Sequence, residues 1–256
     1  DGTAGRQLTT DAAADSSPAF SPDGKWIAFV SKRGDDKESQ FYLIPTDGGE
    51  ARRLTAIPTG ANAPKWFPDG RKIAFVSAIW TDLAEWKAQA KRMKDRADSK
   101  MSAKEWDRAP ISYWDRFLDD RQPHLFSIPV DGGELTAITR QSGRHLSKAD
   151  YSTSSYDISP DGAEVAFVTN VDQTGIDPNY DVMIIAACGC KPAINITEGN
   201  PADDGSPSYS PDGRWLAYAA QSIKGFYADR SKLMLRSRSD SSVQDLSGTW
   251  DRSVDT

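Results

Sequence analysis

Four Pro-Asp-Gly turns between apolar segments, a second set of Asp-Gly-Gly turns and one long helix-patterned interruption predict an all-β fold. The fold class is a β-propeller with four-stranded blades, carrying a helical insertion in one blade. The turn aspartates are Asp23, Asp69, Asp161 and Asp212, at spacings of 46, 92 and 51 residues. A period in the forties is that of one blade, and the doubled middle interval calls for a lost repeat or an insertion.

The first hairpin of each unit carries its own turn chemistry. In Phe20-Ser-Pro-Asp-Gly-Lys-Trp-Ile-Ala-Phe-Val30, Pro22 presets φ, Asp23 bonds its own backbone and Gly24 takes the left-handed conformation cheaply. After the turn, Trp26, Ala28 and Val30 alternate with Ile27 and Phe29. Both sets are largely apolar, so the strand is expected to be buried on both faces, as between packed sheets. The copies at Trp66–Val76, Ile158–Val168 and Tyr209–Ala219 read the same way, as fold determinants rather than a site.

A second hairpin follows each first one. Phe41–Thr55 reads strand, Asp-Gly-Gly turn, strand, and recurs at His124–Thr139, more weakly at Asp181–Thr197 and more weakly still at Lys232–Leu246. Four strands per unit make one blade. The long interval then lies inside blade two, between its two hairpins, so no blade is lost and four are present. Arg6-Gln-Leu-Thr9 resembles the last strand of a preceding blade, and Trp250 to Thr256 the start of another. The expectation is a partial propeller over 1–256, part of a larger ring.

The 256 residues bury a substantial core, and 38% hydrophobic with 27% charged residues suits a water-exposed globular domain. A net charge of −6 argues against nucleic acid as a partner. No apolar run approaches the ~20 residues of a membrane helix, so no membrane partner is expected. The cysteines are Cys188 and Cys190, flanking Gly189 where other blades have Asp-Gly-Gly. Two free thiols is the preferred reading, a disulfide across the turn the alternative, and metal binding lacks further ligands. Asn195-Ile-Thr has the form of a glycosylation acceptor but lies in a strand.

The insertion, residues 80–122, differs from its surroundings. Asp82 with Glu85 and Ser102 with Glu105 resemble capping boxes, predicting one helical arm or two short helices. Leu83, Trp86, Ala90, Met93 and Ala97 form an apolar stripe, opposite Lys87, Lys91, Arg92, Lys94 and Arg96. Such an arm either packs on its own propeller or covers a partner domain, a neighbouring subunit or a substrate cleft. Beyond it, Tyr113, Trp114, Asp115, Arg116, Asp119 and Asp120 combine aromatics with both charge signs. They are candidate substrate-binding residues for a charged peptide terminus, or an ion-pair network anchoring the arm, the latter being preferred.

No Gly-x-Ser-x-Gly nucleophile elbow, phosphate-binding glycine loop or zinc spacing occurs. His124 and His145 have no serine or cysteine partner by context and read as structural or exposed. No catalytic residue, cofactor or metal is assigned, and the chain by itself is expected to be non-catalytic.

The blade motifs, the Ile-Pro-x-Asp-Gly-Gly-Glu hairpins and above all Tyr113-Trp-Asp-Arg-Phe-Leu-Asp-Asp before His124-Leu-Phe resemble the propeller of the prolyl oligopeptidase family of serine peptidases. Within it the likeness is to the dipeptidyl-peptidase V and acylaminoacyl-peptidase branch. That likeness implies a seven-bladed ring capping a C-terminal α/β-hydrolase domain with a Ser-Asp-His triad, a domain absent from this chain. It implies a peptide substrate, a propeller that gates the active site, a possible homo-oligomer, and a periplasmic or secreted location, with the cytoplasm left open. The blade motif is shared with TolB-like envelope propellers, so the alternative is a non-enzymatic propeller that binds protein partners in the bacterial envelope.

Overall fold

A computed structural model describes residues 5–103, 106, 110–172, 174 and 176–254. Blade one is β1 (Asp15–Phe20), β2 (Trp26–Ser31), β3 (Gln40–Pro45) and β4 (Arg52–Arg53), paired in that order as an antiparallel sheet. Blade two starts with β5 (Asn62–Trp66) and β6 (Lys72–Ile79). The insertion follows, with helix α1 (Trp86–Ser99) and a small hairpin, β7 (Ser112–Tyr113) and β8 (Arg116–Phe117). Strands β9 (Gln122–Pro129) and β10 (Thr136–Ala137) then complete the blade, in the order β10-β9-β6-β5. Blade three is β11 (Tyr156–Ile158), β12 (Glu164–Asn170), β13 (Tyr180–Ala186) and β14 (Ile194–Asn195). Blade four is β15 (Asp204–Tyr209), β16 (Trp215–Ala220), β17 (Lys232–Ser237) and β18 (Val243–Asp245).

The period-two alternation decides which neighbour each residue meets. In β6, Ile73 and Phe75 face the core shared with blade one, while Ala74 and Val76 face the core shared with blade three. In β12, Val165 and Phe167 return to blade two, and Ala166 turns to blade four. A central strand without a polar face therefore has a sheet on either side, as its composition predicted. Leu8 packs beside Ile27 and Phe29 on the outer face of blade one.

Three of the four first turns, those of blades one, three and four, are locked by a serine that the turn residues alone do not reveal. The Ser21 hydroxyl donates to Asp23 Oδ1 (2.6 Å) and accepts from the Trp26 N–H (2.9 Å). Ser159 with Asp161 and Ser210 with Asp212 repeat the arrangement at 2.6 Å. Blade two has Phe67 at this position, buried and facing Gly162 of blade three. A second repeated device closes the outer strand. The hydroxyls of Thr55, Thr139, Thr197 and Ser247 accept from the N–H of Phe41, Leu125, Val182 and Leu233, satisfying donors that buried strand ends would otherwise orphan.

Two expectations change. Cys188 and Cys190 form a disulfide, not free thiols, because the turn left by Ala186 brings their Cα atoms to 5.2 Å. Its Gly189, at φ +63°, sits where any Cβ would strike the Ala137 carbonyl of blade two. Among the described residues the arm has one helix, whose N-cap is Glu85 with no side-chain cap bond. The Asp82 box does not form because the carboxylate is held by Arg92 at 3.0 and 2.7 Å. The Ser102–Glu105 box involves a residue outside those described. Asn195 does not present its amide as an acceptor for sugar; Nδ2 donates to Asp181 at 2.6 Å.

Candidate functional site

Both turn types lie at one end of the blades, where the Thr46 hydroxyl donates to Gly24 O. The insertion leaves from the opposite end, and there the inner strands are irregular. In β1, β5 and β15 a bulge places Ser17, Ala63 and Ser206 in the left-handed region, at φ +50°, +53° and +50°, each just before a proline. Non-glycine residues in this conformation are costly and concentrate beside functional surfaces. Blade three has Tyr156 where the others have proline, and a capped 3-10 turn, Thr153–Ser155, replaces the bulge.

The arm is fastened over this end. Gln89, 1% exposed, donates to the carbonyls of Trp80 and Leu83 and accepts from the Trp80 N–H. Trp86 continues an aromatic row, Phe41–Phe75–Phe126–Trp86, with centroid separations of 5.5, 5.7 and 5.3 Å. Trp80 is the hub: its ring is met by the guanidinium groups of Arg96 (4.6 Å), Arg92 (5.3 Å) and Arg121 (5.6 Å), and its Nε1 donates to Asp120 (2.9 Å). Asp120 also accepts both Arg96 nitrogens. Burial pushes its carboxyl up, but these hydrogen bonds outweigh it and hold the group well below the usual carboxylate range. Most of the anticipated basic face is neutralised, since Lys91, Arg92, Lys94 and Arg96 pair with Asp95, Asp82, Asp98 and Asp120.

From this base the β7–β8 hairpin reaches across to blade three, where Arg116 donates to the Ala149 carbonyl. A cavity lies on either side of it. One, of ≈ 630 Å³, is bounded by Arg116, Phe117 and Asp119 of the arm and by the bulges of blades one and two. The other, of ≈ 600 Å³, is bounded by Tyr113, by Ser154, Ser155, Val168 and Tyr180 of blade three and by the start of the inner strand of blade four, with Asp203 and Asp204. Ala149 and Asp150 border both, so hairpin and loop form the dividing wall.

The six candidate residues therefore do not converge on one site. Arg116 and Asp119 face the first cavity and Tyr113 the second. Trp114, 83% exposed, and Asp115 occupy the hairpin tip. Asp120 is an anchor, and Asp119 is bound to Arg121 at 2.5 and 2.8 Å. Of the four charged candidates, Asp119 and Asp120 are held in ion pairs, with Arg121 and Arg96.

Sequence reasoning missed Tyr180, Asp203 and Asp204. The available signal was the Asp-Asp pair ahead of the Ser-Pro bulge. His124 is buried, lies 3.1 Å from the Thr139 hydroxyl through Nδ1, and burial pushes it down to about 3. It occupies the position of Gln40 in blade one, which meets Thr55, so its role is structural. Among the described residues no group of three or more His, Cys, Asp or Glu is placed to hold a metal, and no helix is long and apolar enough to cross a membrane.

The family model described as TolB beta propeller domain, PD40, matches residues 1–111. A probable dipeptidyl-peptidase 5 of Aspergillus flavus is 28% identical over 181 residues, which is 60% of this chain and 25% of that protein. The chain thus spans about a quarter of the length of the curated relatives it matches. Pyrococcus horikoshii acylaminoacyl peptidase superposes with a TM-score of 0.61 at 16% identity, covering 94% of this chain and 33% of that one. TolB from Acinetobacter baumannii gives 0.58 at 17% identity, covering 96% and 46%. This chain is a β-propeller with a PD40 segment, related in sequence to fungal dipeptidyl-peptidases 5 and sharing its fold with acylaminoacyl peptidase and TolB propellers.

Proposed function

We propose that the chain is the substrate-gating propeller part of a serine exopeptidase that releases dipeptides or acylated residues from peptide N-termini. Its partner in this reading is an α/β-hydrolase domain of the same polypeptide. The carrying observation is the hairpin of the insertion, held to the Ala149 carbonyl by Arg116 and rooted beside the Trp80–Asp120 contact, with a cavity on each side. Elements fixed in this way partition access to whatever lies over that end of the blades. The sequence likeness to proteins named dipeptidyl-peptidase 5 supplies the chemistry. Residues 80–122 are then the gating unit, Tyr113, Arg116 and Asp119 its substrate-facing residues, and a periplasmic or secreted location accompanies the reading.

The test is to express the full reading frame that contains this chain and assay dipeptidyl- and N-acyl-aminoacyl-anilides, with a serine-reactive phosphonate as active-site label. Hydrolysis abolished by the label is expected. A protein that takes up no label and cleaves neither substrate class overturns the reading in favour of a TolB-like partner-binding propeller. The likeness to TolB, which spans 96% of this chain, keeps that alternative specific.

A further inference from the structure

The bridge between Cys188 and Cys190 spans a single residue, Gly189. A crosslink stabilises a fold mainly by restricting the unfolded chain, and the gain grows with the loop it closes. A loop this short gives little. The repeat itself supplies the control. Cys188, Gly189 and Cys190 occupy the positions of Asp47, Gly48 and Gly49 in blade one and of Asp131, Gly132 and Gly133 in blade two. The same backbone bonds close all three turns. Gly48, Gly132 and Gly189 donate to the carbonyls of Pro45, Pro129 and Ala186 at 3.1, 2.9 and 2.8 Å. Thr46, Val130 and Ala187 donate to those of Lys25, Arg71 and Ala163 at 2.9, 3.0 and 2.9 Å. Two blades make this turn with no sulfur in it, so the bridge is not what holds it.

The bridge is placed to react instead. Both cysteines are exposed, and exposed disulfides are the ones open to attack by an outside thiolate. The Cys190 N–H donates to Cys188 Sγ at 3.4 Å, so negative charge released on that sulfur meets a donor already in place. Cys188 also borders a cavity of ≈ 760 Å³ between blades two and three, walled by Phe67, Pro68 and Pro160, with room for a segment of another chain. Gly189 packs against the carbonyls of Ala137 and Ile138 too closely for any side chain. The turn therefore stays seated when the bridge opens, and the two thiols remain within reach of each other.

We propose that Cys188-Gly189-Cys190 is a thiol–disulfide exchange site that oxidises a pair of cysteines in a partner polypeptide. One partner thiolate attacks Cys190 Sγ and forms a mixed disulfide. The Cys188–Cys190 bond breaks, and its electron pair leaves on Cys188 Sγ beside the Cys190 N–H. The partner's second thiolate then attacks the partner sulfur of the mixed disulfide, and that electron pair leaves on Cys190 Sγ. The partner loses two electrons and two protons as its dithiol becomes a disulfide, and this chain gains both as two thiols. A small-molecule disulfide, attacked in turn by these thiols, restores the bridge. The inference needs no hydrolase domain and no peptidase activity, so it and the peptidase reading can fail separately.

The experiment uses the dithiol peptide Ala-Cys-Ala-Ala-Cys-Ala-amide, with oxidised glutathione as terminal oxidant and a small amount of the protein as catalyst. Peptide oxidation is expected to run about tenfold or more faster than with the Cys188→Ser/Cys190→Ser double variant. The same mixture without protein is a second reference, should that variant fail to fold. In parallel, the native protein is treated with the peptide or with reduced glutathione, quenched in acid, alkylated and weighed. The bridge is expected to open to the peptide, with the melting temperature unchanged by reduction. A bridge that resists the peptide, opening by glutathione without faster peptide oxidation, or a fall in melting temperature on reduction overturns the proposal.

Discussion

Blades one and two share a four-stranded plan, yet residues 32–39 join the middle strands of the first and residues 80–121 those of the second. The strands barely register the difference. In both, a hydroxyl at the end of the outer strand caps the third strand, and both feed one apolar layer containing Phe41, Phe75 and Phe126. The lesson is that blade stability resides in the layers between sheets, while the connection at the open end is free to acquire a role. The arm is held by polar and cation–π contacts around Trp80 and Gln89 rather than by a core of its own.

Two substitutions test that division. Phe75→Ala should cost about 3–5 kcal/mol in chemical denaturation, because a fully buried ring between two blades leaves a cavity that neither sheet can fill. A loss below 1 kcal/mol would show the shared layer to be less important than the individual sheets. Asp120→Asn should cost about 1–2 kcal/mol, by weakening charge-assisted bonds from Arg96 at a half-exposed site.

Acid should act on the same contact. The folded Asp120 carboxyl lies below its unfolded value of about 3.9, so its contribution is present above that pH and lost as pH falls further. The hydrogen-exchange protection factors of α1 should therefore fall on acidification before those of β6 and β9 do. Simultaneous loss would mean that arm and blade form one cooperative unit.

The smallest effect concerns the turns. Ser21→Ala removes the hydroxyl that bridges Asp23 and the Trp26 N–H, and should cost about 0.5–1.5 kcal/mol. Blade two already lacks that hydroxyl and has Phe67 instead, packed toward blade three. Introducing Phe67→Ser should therefore not stabilise its turn, since the lost packing outweighs the gained bond. A Phe67→Ser variant with a higher melting temperature would reverse the comparison.

The blades were readable because their causes are local. Proline and glycine set turn dihedrals within four residues, and an apolar strand with no polar face needs a sheet on each side. The arm's existence was readable from helical spacing, but its start was not. Asp82 is a good cap in sequence, yet in space Arg92 competes for the carboxylate and wins with two bonds. Trp80, the hub of the arm, carries no sequence mark, since its role depends on three arginines converging from α1 and from the segment after β8.

By itself the sequence determined the fold class, the number of blades, the place of the insertion and the resemblance to peptidase propellers, all through short-range patterns. Only the tertiary structure decided that the six candidate residues split between two cavities, an anchor and the exposed hairpin tip. It also decided that Cys188 and Cys190 close on each other, and that Asp204 lies buried. The physical reason is common to all three. A charge or thiol acquires its role from the group opposite it, and that group is set by the register between strands and the stacking of blades.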